Sequence, residues 1–83
     1  MAYQVKWDVR AYRELKQIET KTAVEILNAL NRLSENPHEA GKPLEGKFKG
    51  KYRLQAGDYR IIYWIEKTTV WIVSVGHRKE IYR

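Results

Sequence analysis

The chain has 83 residues, a formal net charge of +6 and no cysteine. That length makes one domain, residues 1–83, with room for a single core between one sheet and one helical layer and none for a separate cofactor domain. The missing cysteines exclude disulfide staples, thiolate metal ligands and thiol nucleophiles, and no apolar run approaches the roughly 18 residues of a membrane span.

The N-terminus, Met-Ala-Tyr-Gln-Val-Lys-Trp, lacks the apolar stretch of a signal peptide, so the expected setting is cytoplasmic, away from any membrane. Tyr3–Trp7 alternates apolar and polar residues, the period of a half-buried strand. Asp8 is placed to cap a helix in which Val9, Tyr12, Leu15 and Ile18 form the apolar stripe. Thr20 is placed to cap a second helix, whose core face reads Ala23, Ile26, Leu27, Leu30 and Leu33. Asn36-Pro37 stops it, because the residue before proline is pushed out of the helical region.

Residues 37–50 read as a loop holding both prolines, three of the five glycines and the lysines at 42, 47 and 49, anchored by Leu44 and Phe48. Three strands follow, at about 52–56, 59–65 and 70–75. Gly57-Asp58 forms the first reversal and residues 66–69 a polar second one. Gly76 is expected to free the backbone so that His77 and Arg78 leave the sheet. The order β-α-α-β-β-β describes an α+β domain, a helical hairpin on one face of a small, largely antiparallel twisted sheet. In the middle strand Tyr59, Ile61, Tyr63 and Ile65 form the bulkier set and are assigned to the core. Arg60, Ile62 and Trp64 then lie on the open face.

Charge is distributed unevenly. Residues 1–41 hold six Lys/Arg against six Asp/Glu, whereas residues 42–83 hold ten against four, together with seven of the ten aromatic residues. A basic, aromatic sheet half suits a polyanion whose bases stack. Two well-separated histidines without cysteine give no metal site, and no phosphate-binding glycine loop or nucleophile elbow occurs. Metal-free RNA cleavage remains open. There the 2′-hydroxyl is the nucleophile, and the protein supplies a base, an acid and cations for the crowded phosphate. Arg53, Arg60, His77, Arg78 and Tyr82 carry suitable groups. Taken singly, Arg53 and Arg60 also read as surface residues pairing with Asp58 or Glu66, His77 as a strand-end residue, Tyr82 as a ring packed on the sheet, and Lys47, Lys49 and Lys51 as a solvated loop.

Pro43-Leu-Glu-Gly46, Tyr52-Arg-Leu-Gln-Ala-Gly-Asp-Tyr-Arg-Ile-Ile-Tyr63 and Val75-Gly-His-Arg-Lys-Glu-Ile-Tyr82 resemble the RelE-type toxins of the RelE/ParE superfamily, over nearly the whole chain. The resemblance implies a type II toxin that enters the ribosomal A site and cuts mRNA without metal or cofactor. It further implies a RelB-like antitoxin that neutralises the toxin, in a complex that binds its own operator DNA through the antitoxin. By position, Arg60 would hold the scissile phosphate, Arg53 would belong to the same site, and Arg78 would assist the phosphate or the leaving oxygen. Tyr82 would orient the substrate or help move a proton, and His77 would titrate. Lys47, Lys49 and Lys51 would contact the RNA and ribosome backbone, and Ile62 and Trp64, partly exposed, would seat the antitoxin. Gln55 departs from the family pattern, where many relatives carry Lys or Arg. Two other readings stay open: a ParE-type toxin that inhibits DNA gyrase, and an inactive RNA-binding relative.

Overall fold

In the computed structural model, residues 2–77 are described. The first strand, β1 (Gln4–Trp7), alternates as expected, with Val5 and Trp7 against the core. Asp8 caps helix α1 (Val9–Lys16), its carboxylate accepting from the Arg10 N–H at 3.0 Å. The buried stripe of this helix differs from the expected one. Val9 and Tyr12 are 64% and 51% exposed, and Ala11 is fully buried with Leu15 and Ile18 packed beside it. Positions 11 and 15 follow the i, i+4 rule and Ile18 packs beside them just beyond the helix, while a strict repeat of three drifts off the face.

Helix α2 (Thr20–Glu35) makes the same kind of substitution. Its N-cap is Glu19, without a side-chain bond, and Thr20 is already helical. Ile26, Ala29, Leu30 and Leu33 are buried and Leu27 is 46% exposed. The small Ala29 takes a core position that the larger Leu27 does not. Asn36 takes φ −149° and ends the helix before Pro37, as proline requires.

The expected loop contains more structure than its composition implies: a helical turn α3 (Pro37–Ala40), a two-residue strand β2 (Lys42–Pro43) and a 3-10 turn (Gly46–Phe48). Strands β3 (Tyr52–Ala56), β4 (Tyr59–Glu66) and β5 (Thr69–His77) follow. Gly57 supplies φ +62° at the first reversal, and Lys67 takes φ 54° at the second, an uncommon conformation for a residue with a side chain. The sheet order is β1-β5-β4-β3-β2, with β1 parallel to β5 and every other pair antiparallel. Strand β5 runs through Gly76 to His77, so the chain does not leave the sheet at the glycine.

Register sorts the side chains. Leu54, Ile61, Tyr63, Val70, Ile72 and Val75 meet the helices in one core. Arg53, Gln55, Arg60, Ile62, Trp64, Trp71 and Ser74 occupy the other face. Between Ile62 and Tyr63 the pairing with β5 slips. Ile62 faces Ser74 and Tyr63 faces Ile72, so Val73 is a bulge residue without a partner on β4. The bulge reverses the alternation of β5 beyond it. Val75 returns to the core, and His77, opposite Tyr59, lies on the helix side.

Two polar devices hold this arrangement. Tyr63 is fully buried, stacks on Tyr52 at 5.3 Å, and donates its hydroxyl to the Pro37 carbonyl at 2.7 Å. Burial pushes the phenol up to about 12. Second, β1 stops pairing at Ile72, which leaves the edge of β5 beyond it without a strand neighbour among the described residues. The Glu14 carboxylate takes the place of one, accepting from the Val75 N–H at 2.9 Å and the Ser74 hydroxyl at 3.1 Å.

Four outcomes follow. A Cβ on Gly41 would sit 2.5 Å from the Tyr63 hydroxyl and 2.6 Å from the Arg53 carbonyl, so Gly41→Ala lowers the urea midpoint. Tyr63→Phe orphans the Pro37 carbonyl and costs about 1–3 kcal/mol, roughly 4–8 °C of Tm per kcal/mol in a domain this size. The folded pKa of Tyr63 lies above the unfolded value of about 10. The unfolded chain therefore loses that proton first, and stability falls as pH rises from about 10 to about 12. In Tyr63→Phe that part of the alkaline slope disappears, as urea titrations across the range would show. Finally, Glu14→Ala speeds hydrogen exchange at the Val75 amide by NMR, and Glu14→Gln, which keeps an acceptor oxygen, restores part of the protection.

Candidate nucleic-acid interface

The site forms on the sheet face away from the helices. Arg53 pairs across from Ile62, and Arg60 across from Gln55. The two arginines are thus diagonal neighbours on one face, positions about 7–8 Å apart and somewhat closer at Cβ, close enough for both guanidinium groups to converge on one phosphate. On its other side Arg60 faces Gly76, which has no side chain to crowd it. Arg60 does not turn into the helix layer.

The Arg60 Nη1 is buried and has no hydrogen-bond partner among the described residues. A shielded guanidinium N–H without an acceptor is costly, and a phosphate oxygen satisfies it with a charge-assisted bond. Nearby groups are committed elsewhere. The Gln55 amide donates to the Gly57 carbonyl at 3.0 Å, and neither Asp58 nor Glu66 forms an ion pair with Arg53 or Arg60. The plain surface pairing open to these arginines is therefore not made.

Beside this pair lies a hollow of about 350 Å³, lined by Arg10, Lys47, Phe48, Lys51, Ile62, Val73 and Ser74. Phe48 and Lys47 come from the 3-10 turn, and the Lys47 ammonium sits 5.3 Å from the centre of the Phe48 ring. A smaller hollow of about 170 Å³ at the β2–β3 edge is bounded by Arg32, Lys42 and Arg53. Cations therefore border the open face on several sides. Among the described residues no cluster of three or more His, Asp or Glu side chains is placed to hold a metal ion.

The residues singled out from sequence separate into groups. Arg53 and Arg60 share the open face, with Lys51 and Lys47 at its margin, while Lys49 is exposed and does not line the hollow. His77 does not join them. It opposes Tyr59 on the helix side, edge-on to that ring at 5.6 Å, because the Val73 bulge has changed the phase of β5. Arg78 and Tyr82 lie outside the described residues. Ile62 is on the expected face but only 3% exposed, which corrects its assignment as a partly exposed seat; Trp64 is half-buried. Arg10, Glu14 and Ser74 were not singled out. Arg10 belongs to the neutral N-terminal half, and only the fold carries α1 to the margin of the basic face.

Comparison with known proteins agrees with this architecture. Residues 5–82 match the family described as the ParE toxin of the type II toxin–antitoxin system parDE. The chain is 36% identical over 86 residues to Toxin RelG of Mycobacterium tuberculosis, covering 100% of this chain and 99% of the relative. It is 30% identical to the mRNA interferase toxin RelE of Escherichia coli, covering 99% and 92%. A chain of the toxin–antitoxin complex RelBE2 from M. tuberculosis superposes with a TM-score of 0.87 at 31% identity, over 94% of this chain and 100% of that one. The isolated E. coli RelE toxin superposes with a TM-score of 0.78 at 27% identity, over 98% and 92%. With the match spanning residues 5–82 and relatives aligned from end to end, the chain belongs to the RelE/ParE superfamily of type II toxins.

Proposed function

We propose that this toxin is a ribosome-dependent endoribonuclease that cuts mRNA in the A site. The observation that carries the reading is the pair Arg53 and Arg60 on the sheet face away from the helices, with a buried guanidinium nitrogen of Arg60 that has no acceptor among the described residues. In the reaction the 2′-oxygen attacks its own phosphorus while the bond from phosphorus to the 5′-oxygen breaks. The 2′ proton passes to a base, and an acid protonates the departing 5′-oxygen. Negative charge gathers on the non-bridging oxygens as the phosphorus becomes crowded. Guanidinium groups fixed in advance stabilise that charge without reorganising. Arg60 and Arg53 take this role. Arg78 assists the phosphate or donates to the leaving oxygen, Tyr82 orients the substrate or helps move a proton, and His77, on the opposite face, is not assigned to either step. Lys47, Lys49 and Lys51 hold the RNA and ribosomal backbone.

A RelB-like antitoxin is the expected partner, in keeping with relatives crystallised in toxin–antitoxin complexes. On the open face Trp64 offers it more surface than Ile62 does.

The match to the ParE family favours a second reading, inhibition of DNA gyrase. Primer extension on translating ribosomes, run beside a gyrase supercoiling assay, separates the two. The expected result is codon-register cleavage with gyrase unaffected; poisoned gyrase with intact mRNA reverses the assignment. Arg60→Ala lowers the cleavage rate by about 10²–10³, the usual effect of removing one charge-stabilising donor, whereas His77→Ala stays within a few-fold of wild type. Replacing Lys47 and Lys49 together weakens ribosome binding and flattens its salt dependence, measured by sedimentation across a potassium series.

A further inference from the structure

We infer that Glu14 is a positioning residue for the phosphate site: its carboxylate holds β5 in the bulged register that sets Gly76, and not Val75, opposite Arg60. The inference rests on the proposed cleavage function.

The bulge is splinted from α1. Just before Val73, where pairing with β1 ends, the Asp8 N–H donates to the Ile72 carbonyl at 2.9 Å. Just after it, a single oxygen of Glu14, Oε1, accepts from the Ser74 hydroxyl at 3.1 Å and from the Val75 N–H at 2.9 Å. The other oxygen, Oε2, lies 3.6 Å from the Arg10 Nε. Asp8 is the N-cap of α1 and Glu14 sits near its C-terminal end, so one helix grips β5 on both sides of the skipped residue. Ser74 and Val75 are only 9% and 2% exposed, and a sheltered N–H that loses its acceptor is costly.

What the splint selects follows from counting along the strand. In the observed register Ile62 faces Ser74, Ile61 faces Val75 and Arg60 faces Gly76. With Val73 entered in the ladder opposite Ile62, every later residue of β5 moves one place. Ser74 then faces Ile61, Val75 faces Arg60 and Gly76 faces Tyr59. Residues directly opposite in an antiparallel pair share a face, so an isopropyl group would lie beside the Arg60 guanidinium. His77, from which the chain passes on to Arg78, would shift by one residue, about 3.4 Å. A misplacement of about 1 Å already costs up to about 10² in rate.

Two features favour the bulged register: the burial of Val75 in the core and the Glu14 carboxylate. Only the second can be removed with every buried core side chain left in place. Glu14 acts through β5 and not on the RNA, so its loss changes the rate of the chemical step more than the affinity for the ribosome.

Cleavage of mRNA on programmed ribosomes, measured across ribosome concentration, gives kcat and KM for wild type, Glu14→Ala and Glu14→Gln. Cross-strand NOEs of the free toxins report which residue of β5 lies opposite Arg60. The expected result for Glu14→Ala is a kcat lower by about tenfold with KM within about twofold. In the same variant NOEs from Arg60 to Gly76 weaken and those from Arg60 to Val75 strengthen. Glu14→Gln gives up the charge beside Arg10 but keeps an acceptor oxygen, and restores most of kcat together with the Gly76 contact. Circular dichroism and thermal melts check folding. If Glu14→Ala does not fold at the assay temperature, Ser74→Ala, which removes one of the two donors, replaces it with the same expected directions. A folded variant with wild-type kcat, or with raised KM at unchanged kcat, overturns the positioning role. A lower kcat with the Arg60–Gly76 contact intact overturns the register mechanism. Wild-type toxin that leaves mRNA whole overturns the nuclease reading; the NOEs then decide the register lock alone, their shift in Glu14→Ala supporting it and their persistence overturning it.

Discussion

Val73, the one residue of β5 that the pairing with β4 skips, decides what each face of this sheet contains. Before it, Val70 and Ile72 enter the core on alternate positions. After it, Val75 does so and Ser74 turns outward. A regular strand would have buried Ser74 and Gly76 under the helices and exposed Val75. The bulge thus keeps the core apolar and places the small Gly76 opposite Arg60, where bulk would compete with the guanidinium. It also falls where β1 ends, so one carboxylate, Glu14, both satisfies the open strand edge and fixes the bulged segment against α1.

A second constraint joins the helical layer to the basic face. Tyr63 crosses the core and donates to Pro37, at the point where α2 gives way to α3. Gly41 lies against the same hydroxyl and against the Arg53 carbonyl, so the chain enters β2 in close contact with β3. The backbone that carries Arg53 is therefore braced from beneath by a buried phenol and from the side by a glycine with no room for a side chain. In the proposed role of Arg53 as a phosphate ligand such support counts, because a cation already held in place loses little entropy when the anion arrives.

Much of this was legible in the residues. Alternation in β4 placed Arg60 on the open face and Tyr63 in the core, and Asp8, Pro37 and Gly57 marked boundaries through local chemistry alone. Reading failed where size was taken for burial. Ala11 and Ala29 face the core, and larger neighbours such as Tyr12 and Leu27 remain outside. It failed again for β2, whose two residues are too few to show a period, and for His77, whose face depends on a bulge with no local signature. Arg10 was invisible for a third reason: its place at the basic hollow comes from tertiary packing of α1, while its own surroundings in the chain are charge-neutral.

The two ends of the sheet carry a further consequence. On one side β2 offers only Lys42 and Pro43, both exposed, and on the other β1 presents Gln4 and Lys6 outward. Between them lie strands rich in isoleucine, valine, tyrosine and tryptophan, the composition most prone to stack on its own kind. A proline with no N–H to give and ammonium groups that repel their copies close off that route. A molecule on its own is thereby discouraged from growing a shared sheet with its copies.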